Sequence, residues 1–373
     1  MKYLALSAPI YIDDTNPSAN WSVAKDAGLC NGSGTYLDPY IIKDLVIDGG
    51  GSTSSILIKN SDVHFRIENC TVFNSSVAGV KLFETSHGQL INNSCTSDYY
   101  GINVENSNSI NISENIANNN IYGIFFKNCM GITISGNNAD YNYYAGIELL
   151  GSTNNTISGN FVKDNEHEGI ALHSSDNNTI TGNTAFNNSL GVYLSGSNNS
   201  VLKNALNHNN KGIHLYESFN NLISENNVSY NGYGIYLWGG CVNNIISVNN
   251  ASNSNSDGIS LYFCEKNTIL GNTANYNNYC GIFLEGSYNN IISGNTASHN
   301  KLYGIRLIDG SCNNIVVNNT LHNNVLGDFA DHTLCKEILG YDLFFLIDIL
   351  SIAFLIGIVS LITIILIKKF RKI

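Results

Sequence analysis

Apolar side chains recur two positions apart along most of the chain, in short runs separated by polar turns. One column reads Val80, Ile102, Ile124, Ile147, Ile170, Val192, Ile213, Ile235, Ile259, Ile282 and Ile305. Two residues further on stand Leu82, Val104, Phe126, Leu149, Leu172, Leu194, Leu215, Leu237, Leu261, Leu284 and Leu307. This spacing puts each pair on one face of a strand. No run is long enough for an amphipathic helix, which disfavours helical solenoids. A glycine precedes the first column from Gly79 to Gly304, at intervals of 21 to 24 residues. The unit is plain in G-I-F-L-E-G-S-Y-N-N-I-I-S-G-N-T-A-S-H-N, Gly281 to Asn300.

A unit this short cannot bury its own aliphatic face, but stacked units form a continuous core. The pattern predicts an all-β solenoid: a right-handed, single-stranded parallel β-helix of about 12–13 coils, rising roughly 4.8 Å per coil. Asparagine supplies 61 of the 373 residues, and one column holds Asn93, Asn115, Asn137, Asn160, Asn183, Asn204, Asn226, Asn249, Asn272, Asn295 and Asn319. Stacked amides can donate to one coil and accept from the next. Asparagine also tolerates the left-handed backbone of tight corners.

Charged residues make up 13% of the chain, and the net charge is −11. Hydrophobic residues at 43% supply enough apolar surface for a core, which argues against disorder. So acidic a chain excludes a nucleic-acid platform. The nine cysteines show no CxxC or other ligand-type spacing, so neither a zinc site nor a disulfide scaffold is indicated.

The repeated G-I-x-L-x-x-S-x-N-N-x-I-S-G-N-x-A-x-x-N unit resembles the parallel β-helix repeats of NosD-like proteins, within the pectin-lyase-like superfamily. The segment Gly34-Thr35-Tyr36 to Asp38-Pro39-Tyr40-Ile41-Ile42 resembles the entry coil of such proteins. The resemblance implies the fold. It leaves the activity open, because one solenoid hosts lyases, hydrolases, epimerases, adhesins and substrate receptors.

Five segments follow from the pattern: an N-terminal segment or cap at 1–40, the β-helix at 41–330, a juxtamembrane stretch at 331–348, a transmembrane helix at 349–367 and a basic tail at 368–373. Ile349–Ile367 holds 19 uncharged residues, roughly the 30 Å needed to cross a bilayer. Lys368, Lys369, Arg371 and Lys372 follow it and mark the cytoplasmic side. The expected location is a single-pass membrane protein with its β-helix outside, held to the membrane through Ile349–Ile367.

The superfamily's enzymes use carboxylate pairs, calcium ligands or an arginine–lysine set, and those signatures are missing. No cofactor is expected. Histidines at 64, 87, 167, 208, 299, 322 and 332 are read as forming no column, and His173 and His214 as outward but in different columns. The informative surface is aromatic. Alternation turns Tyr193, Tyr216, Tyr236, Trp238, Tyr262 and Phe283 outward at about one per coil, with Glu217 and Glu285 beside them. Tyrosine and tryptophan combine an apolar face with a polar tip, which suits sugars. These eight residues are the candidate ligand-binding set, with no catalytic or metal residue assigned. The expected role is non-catalytic: binding a glycan or a cell-surface protein, or serving as an envelope scaffold. The alternatives are a polysaccharide-modifying lyase, hydrolase or epimerase and, from the resemblance alone, an accessory protein for copper loading.

Overall fold

The computed structural model describes residues 4–6, 8–51, 53–333 and 335. Residues up to Leu334 form one unit, and 335–373 a second, of which only Cys335 is described. The first unit is a right-handed parallel β-helix of about thirteen turns. A fourteen-stranded sheet runs from Ile10–Asp13 to Gly327–His332, and a thirteen-stranded sheet from Tyr40–Lys43 to Ile315–Val317. The third face carries shorter strands continued by isolated parallel bridges, such as Ile116 with Asn138 and Asn138 with Phe161. Every strand-to-strand ladder is parallel and joins one coil to the next.

The register stacks like on like. Ile213 pairs with Ile235 and Leu215 with Leu237, and the same columns continue through Ile259 and Leu261. Both columns are fully buried, so the inner faces of the sheets merge into one apolar core along the rod. Burying such a side chain contributes roughly 1.5–3 kcal/mol, and the term repeats at every coil.

The predicted asparagine column is a buried ladder. Asn204 donates its side-chain amide to Asn226 Oδ1 at 2.9 Å and to the Ile180 carbonyl at 3.0 Å. Its backbone N–H also donates to Asn226 Oδ1, at 3.0 Å. Two further buried ladders had not been read from the sequence. One runs through Asn155, Asn178, Asn199, Asn221, Asn244, Asn267 and Asn290. The other links Asn142, Asn165, Asn188, Asn209 and Asn231. The remaining corners hold left-handed residues, among them Asn154, Asn177, Asn198, Asn220 and Asn243, each at φ 57°.

The repeat glycine marks a close approach between coils. A Cβ on Gly234 would lie 2.3 Å from the Gly258 carbonyl oxygen, and one on Gly123 would lie 2.5 Å from that of Gly146. Any side chain there would push successive coils apart.

The segment expected as a cap also supplies the first rung, because Ile10 pairs with Ile56 and Ile12 with Ile58. Capping falls to the short helix Trp21–Asp26, whose Asn20 side chain accepts the Val23 N–H at 3.1 Å. Trp21 is buried; its ring stacks on Tyr40 at 4.9 Å, and its Nε1 donates to Ser61 Oγ at 2.8 Å. Among the described residues no helix is long and apolar enough to cross a membrane. The span expected at Ile349–Ile367 lies outside those residues, as does the tail at 368–373.

Candidate functional site

Two of the columns that the fourteen-stranded sheet turns outward carry the predicted aromatics. In the first stand Phe125, Glu148, Ala171, Tyr193, His214, Tyr236, Ser260, Phe283 and Arg306. In the second, Tyr216, Trp238, Tyr262 and Glu285 follow one another on successive strands. The predicted aromatics therefore do share one face, divided between two adjacent columns. Glu217 belongs to neither column; it occupies the corner just after its strand, at φ 46°.

The rings pack against one another. Tyr216 and Trp238 stack at 5.2 Å; Tyr236 meets Tyr262 at 5.2 Å, and Tyr262 meets Phe283 at 5.6 Å. Tyr193 contacts His173 at 4.9 Å and His214 at 5.5 Å. Trp238 remains 43% exposed, whereas Phe283 is only 8% exposed. Phe283 and Phe125 lie outside the inner core cluster, so neighbouring side chains on the outer face cover them. Alternation assigned their direction correctly but not their exposure. Only Tyr216 and Trp238 are stacked; the other contacts in the stripe are tilted or edge-on.

Ionisable groups are set among these rings. The Lys211 ammonium lies 4.0 Å from the centre of the Tyr236 ring, and burial lowers its pKa. Burial, then the Lys211 charge, pushes His214 down to about 4; both its ring nitrogens are shut off from solvent without a hydrogen-bond partner. Tyr216 donates its hydroxyl to Glu217, which raises the tyrosine pKa. Asp257 accepts the Cys280 N–H at 2.8 Å and the Ser260 hydroxyl at 3.3 Å. Burial raises Asp257 to about 6. The nearby Arg306 leaves its buried Nε unpaired.

Several residues of this face were not singled out in the sequence. Tyr100, Tyr122, Tyr144 and His167 form a continuous stack with spacings of 5.2, 5.1 and 5.1 Å. Glu148, Glu168, Lys211, Asp257 and Arg306 join them on the outer face. Their positions one or two before, or two after, the repeat glycine were the available signal. The histidine reading also needs correction: His64 and His87 stack at 4.7 Å on neighbouring coils, and His299 meets His322 at 5.6 Å. Each pair is 23 residues apart, one repeat.

The family model for NosD, described as a periplasmic copper-binding protein, matches residues 46–210, 143–253 and 196–331. The chain belongs to the NosD family. No curated protein matches the chain. Among solved structures, it is similar to the Azotobacter vinelandii mannuronan C-5 epimerase AlgE4 A-module, at 17% identity and a TM-score of 0.47, covering 89% of this chain and 98% of that one. The periplasmic alginate epimerase AlgG gives 14% identity and a TM-score of 0.45, over 89% and 85%. A DFA-IIIase from Arthrobacter chlorophenolicus A6 gives 12% and 0.44, over 86% and 97%. At these identities and scores the likeness is one of general fold.

The NosD description raises the question of a copper site. Among the described residues no group of three or more His, Cys, Asp or Glu is gathered to hold a metal. The seven free thiols are buried, and several donate to backbone carbonyls, as Cys129 does to Val104 at 3.4 Å. Soft thiolates and imidazoles would be the donors copper prefers. Burial raises most of the thiols, as at Cys70 and Cys129, both at about 11; Cys241 and Cys264, on neighbouring coils, hydrogen-bond to each other, which lowers Cys241. Beyond that thiol pair, the described residues gather no larger set of copper donors.

Proposed function

We propose that this NosD-family β-helix is a surface protein that binds a linear glycan along the outer face of its long sheet. The observation carrying this reading is the run of half-buried aromatics on successive strands, Tyr193 to Phe283, with Lys211, Glu217 and Glu285 beside them. Hydroxyls and charged tips at ring edges can hydrogen-bond sugar hydroxyls, and exposed Trp238 offers apolar surface. Individually weak contacts at coil intervals share one ordering cost, so a polymer gains over a monosaccharide. The surface location rests on the apolar stretch Ile349–Ile367 and the basic residues after it.

Tyr216, Tyr236, Trp238 and Tyr262, all replaced by Ser, test the site. Polysaccharide pull-down should fail for this variant while circular dichroism stays native, since none of the four belongs to the inner core. Retained binding would move the site elsewhere. Protease accessibility of the β-helix on intact cells tests the location.

A further inference from the structure

Two thiols meet inside the rod. Cys241 and Cys264 stand just past the strands Tyr233–Trp238 and Ile259–Tyr262, at the corner where each coil leaves the long sheet. Their coils are neighbours in register: Val242 bridges to Glu265, and the Glu265 N–H donates to the Cys241 carbonyl at 3.1 Å. The two cysteines are therefore stacked at the spacing of adjacent strands, roughly 4.8 Å. Disulfides join Cα atoms about 4.4–6.8 Å apart, a range that this stacking satisfies. Both side chains are fully buried, and the thiols hydrogen-bond to each other.

The rest of the column shows how the corner is satisfied without sulfur. Ser218 precedes the pair and donates its hydroxyl to the Leu194 and Tyr216 carbonyls at 2.9 and 3.0 Å. Ser287 follows it, and its hydroxyl accepts the Cys264 N–H at 3.0 Å. Cys129 occupies the same column nearer the N-terminus, where its N–H donates to the Ser152 hydroxyl at 3.0 Å; the sulfur there has no second sulfur on the next coil. A thiol is a weaker donor than a hydroxyl, and Cys241 reaches the Leu215 and Trp238 carbonyls only at 3.5 and 3.4 Å. Among the described free thiols, Cys241 and Cys264 alone stand on successive coils of one column. Cys312, further along the chain, is itself disulfide-bonded. Disulfides persist in oxidising surroundings, so a chain that carries one is made where a second can form.

We propose that Cys241 and Cys264 are joined in the mature protein by a disulfide that staples two coils behind the aromatic stripe. The bond does not depend on the glycan-binding reading. Its oxidant is another disulfide, of a small thiol or of a thiol oxidoreductase. Both sulfurs are shut off from solvent in the stacked rod, so exchange takes place while the coils are still closing. One cysteine loses its proton to solvent, and its thiolate attacks the oxidant, forming a mixed disulfide and releasing a thiolate. That thiolate takes the proton of the second cysteine, whose sulfur then attacks the mixed disulfide. The second leaving thiolate is protonated by solvent. Two protein thiols are oxidised, and one disulfide is reduced to two thiols. Trp238 and Tyr262, register partners three and two residues before the cysteines, are then held at a fixed separation.

The test takes the full chain from the cells that make it. Free thiols are trapped with N-ethylmaleimide at lysis, and the protein is unfolded in the same reagent without reductant. An aspartate-specific protease then cuts between the two cysteines at Asp257, the one aspartate between them. Mass spectrometry should find the two fragments joined, two hydrogens lighter than their sum, and parted by reduction. Neither cysteine should carry maleimide, whereas Cys129 should carry it. Reductant should lower the urea midpoint of the wild type by more than that of the Cys241→Ser, Cys264→Ser double variant, which keeps the Cys312 bond. Maleimide on both Cys241 and Cys264 of the wild type overturns the proposal. A bond from either to any other cysteine does the same, and so does an equal response of the two proteins to reductant.

Discussion

Tyr216 and Trp238, register partners on neighbouring strands, stack their rings at 5.2 Å with 30° between the planes. Each ring thus covers part of its neighbour's face. Aromatic pairs of this kind contribute about 0.5–1.5 kcal/mol beyond burial. A double-mutant cycle with Tyr216→Ser and Trp238→Ser should return a coupling energy in that range by chemical denaturation. A coupling near zero would mean that the stripe is not packed in solution, freeing its ring faces for ligand.

The ladder position Asn226 should be far less tolerant than the corner beside it. In Asn226→Leu the Asn204 amide and backbone N–H lose their shared acceptor, and the Val201 carbonyl loses a donor at 2.8 Å. Stranding buried groups costs on the order of 1–3 kcal/mol each. Asn220 is exposed, with φ 57°, so Asn220→Gly keeps the required backbone and should change stability by only about 0.5 kcal/mol. Urea titration of the two variants distinguishes the roles.

Gly234→Ala tests the close approach of coils. Its Cβ would meet the Gly258 carbonyl oxygen at 2.3 Å, and backbone at that position cannot swing away as a side chain would. Overpacking of this kind typically costs about 1–3 kcal/mol, to be read as a lowered denaturation midpoint. Gly271→Ala meets nothing within 4 Å; its penalty should come from φ +62° alone.

Asp98 makes stability depend on pH. It is a buried carboxyl that accepts the Ser75 N–H at 2.7 Å, while its other oxygen has no partner. Burial pushes its pKa up to about 7, from the 3.8 of an exposed aspartate. Between those values the folded state holds a proton that the unfolded state has released, so stability is full below about pH 4, falls as pH rises, and levels off above about 7. Asp98→Asn removes this dependence. The variant should be more stable than wild type at pH 8, by on the order of 3 kcal/mol, with the difference fading toward pH 4. Thermal melts across that range provide the check, and parallel melting curves at every pH would show that Asp98 stays ionised.

An inward charge should break the stack outright. Leu215 and Ile223 are fully buried in columns that continue through every neighbouring coil, so Leu215→Asp or Ile223→Asp places an unpaired carboxylate in a dry interior. Loss of cooperative melting is expected for both.

The repeat alone determined the solenoid. Its near-constant spacing forces Ile213 over Ile235 and Asn204 over Asn226, because each coil can bury its apolar face only against an identical neighbour. Direction could be read in the same way, inward for Leu215 and outward for Tyr236, since alternation is a local property of a strand. Exposure on the outer face was decided only in three dimensions. Phe283 and Glu148 point outward, yet both are largely covered. What covers them arrives from other coils, through side-chain sizes that alternation does not encode: Tyr100 and Tyr122 near Glu148 and Tyr262 beside Phe283. Proton affinity followed exposure, since the pKa of Glu148 is set by the water it loses and by Glu168 on the next strand. How much water an outer-face carboxylate loses was decided only when the coils were stacked.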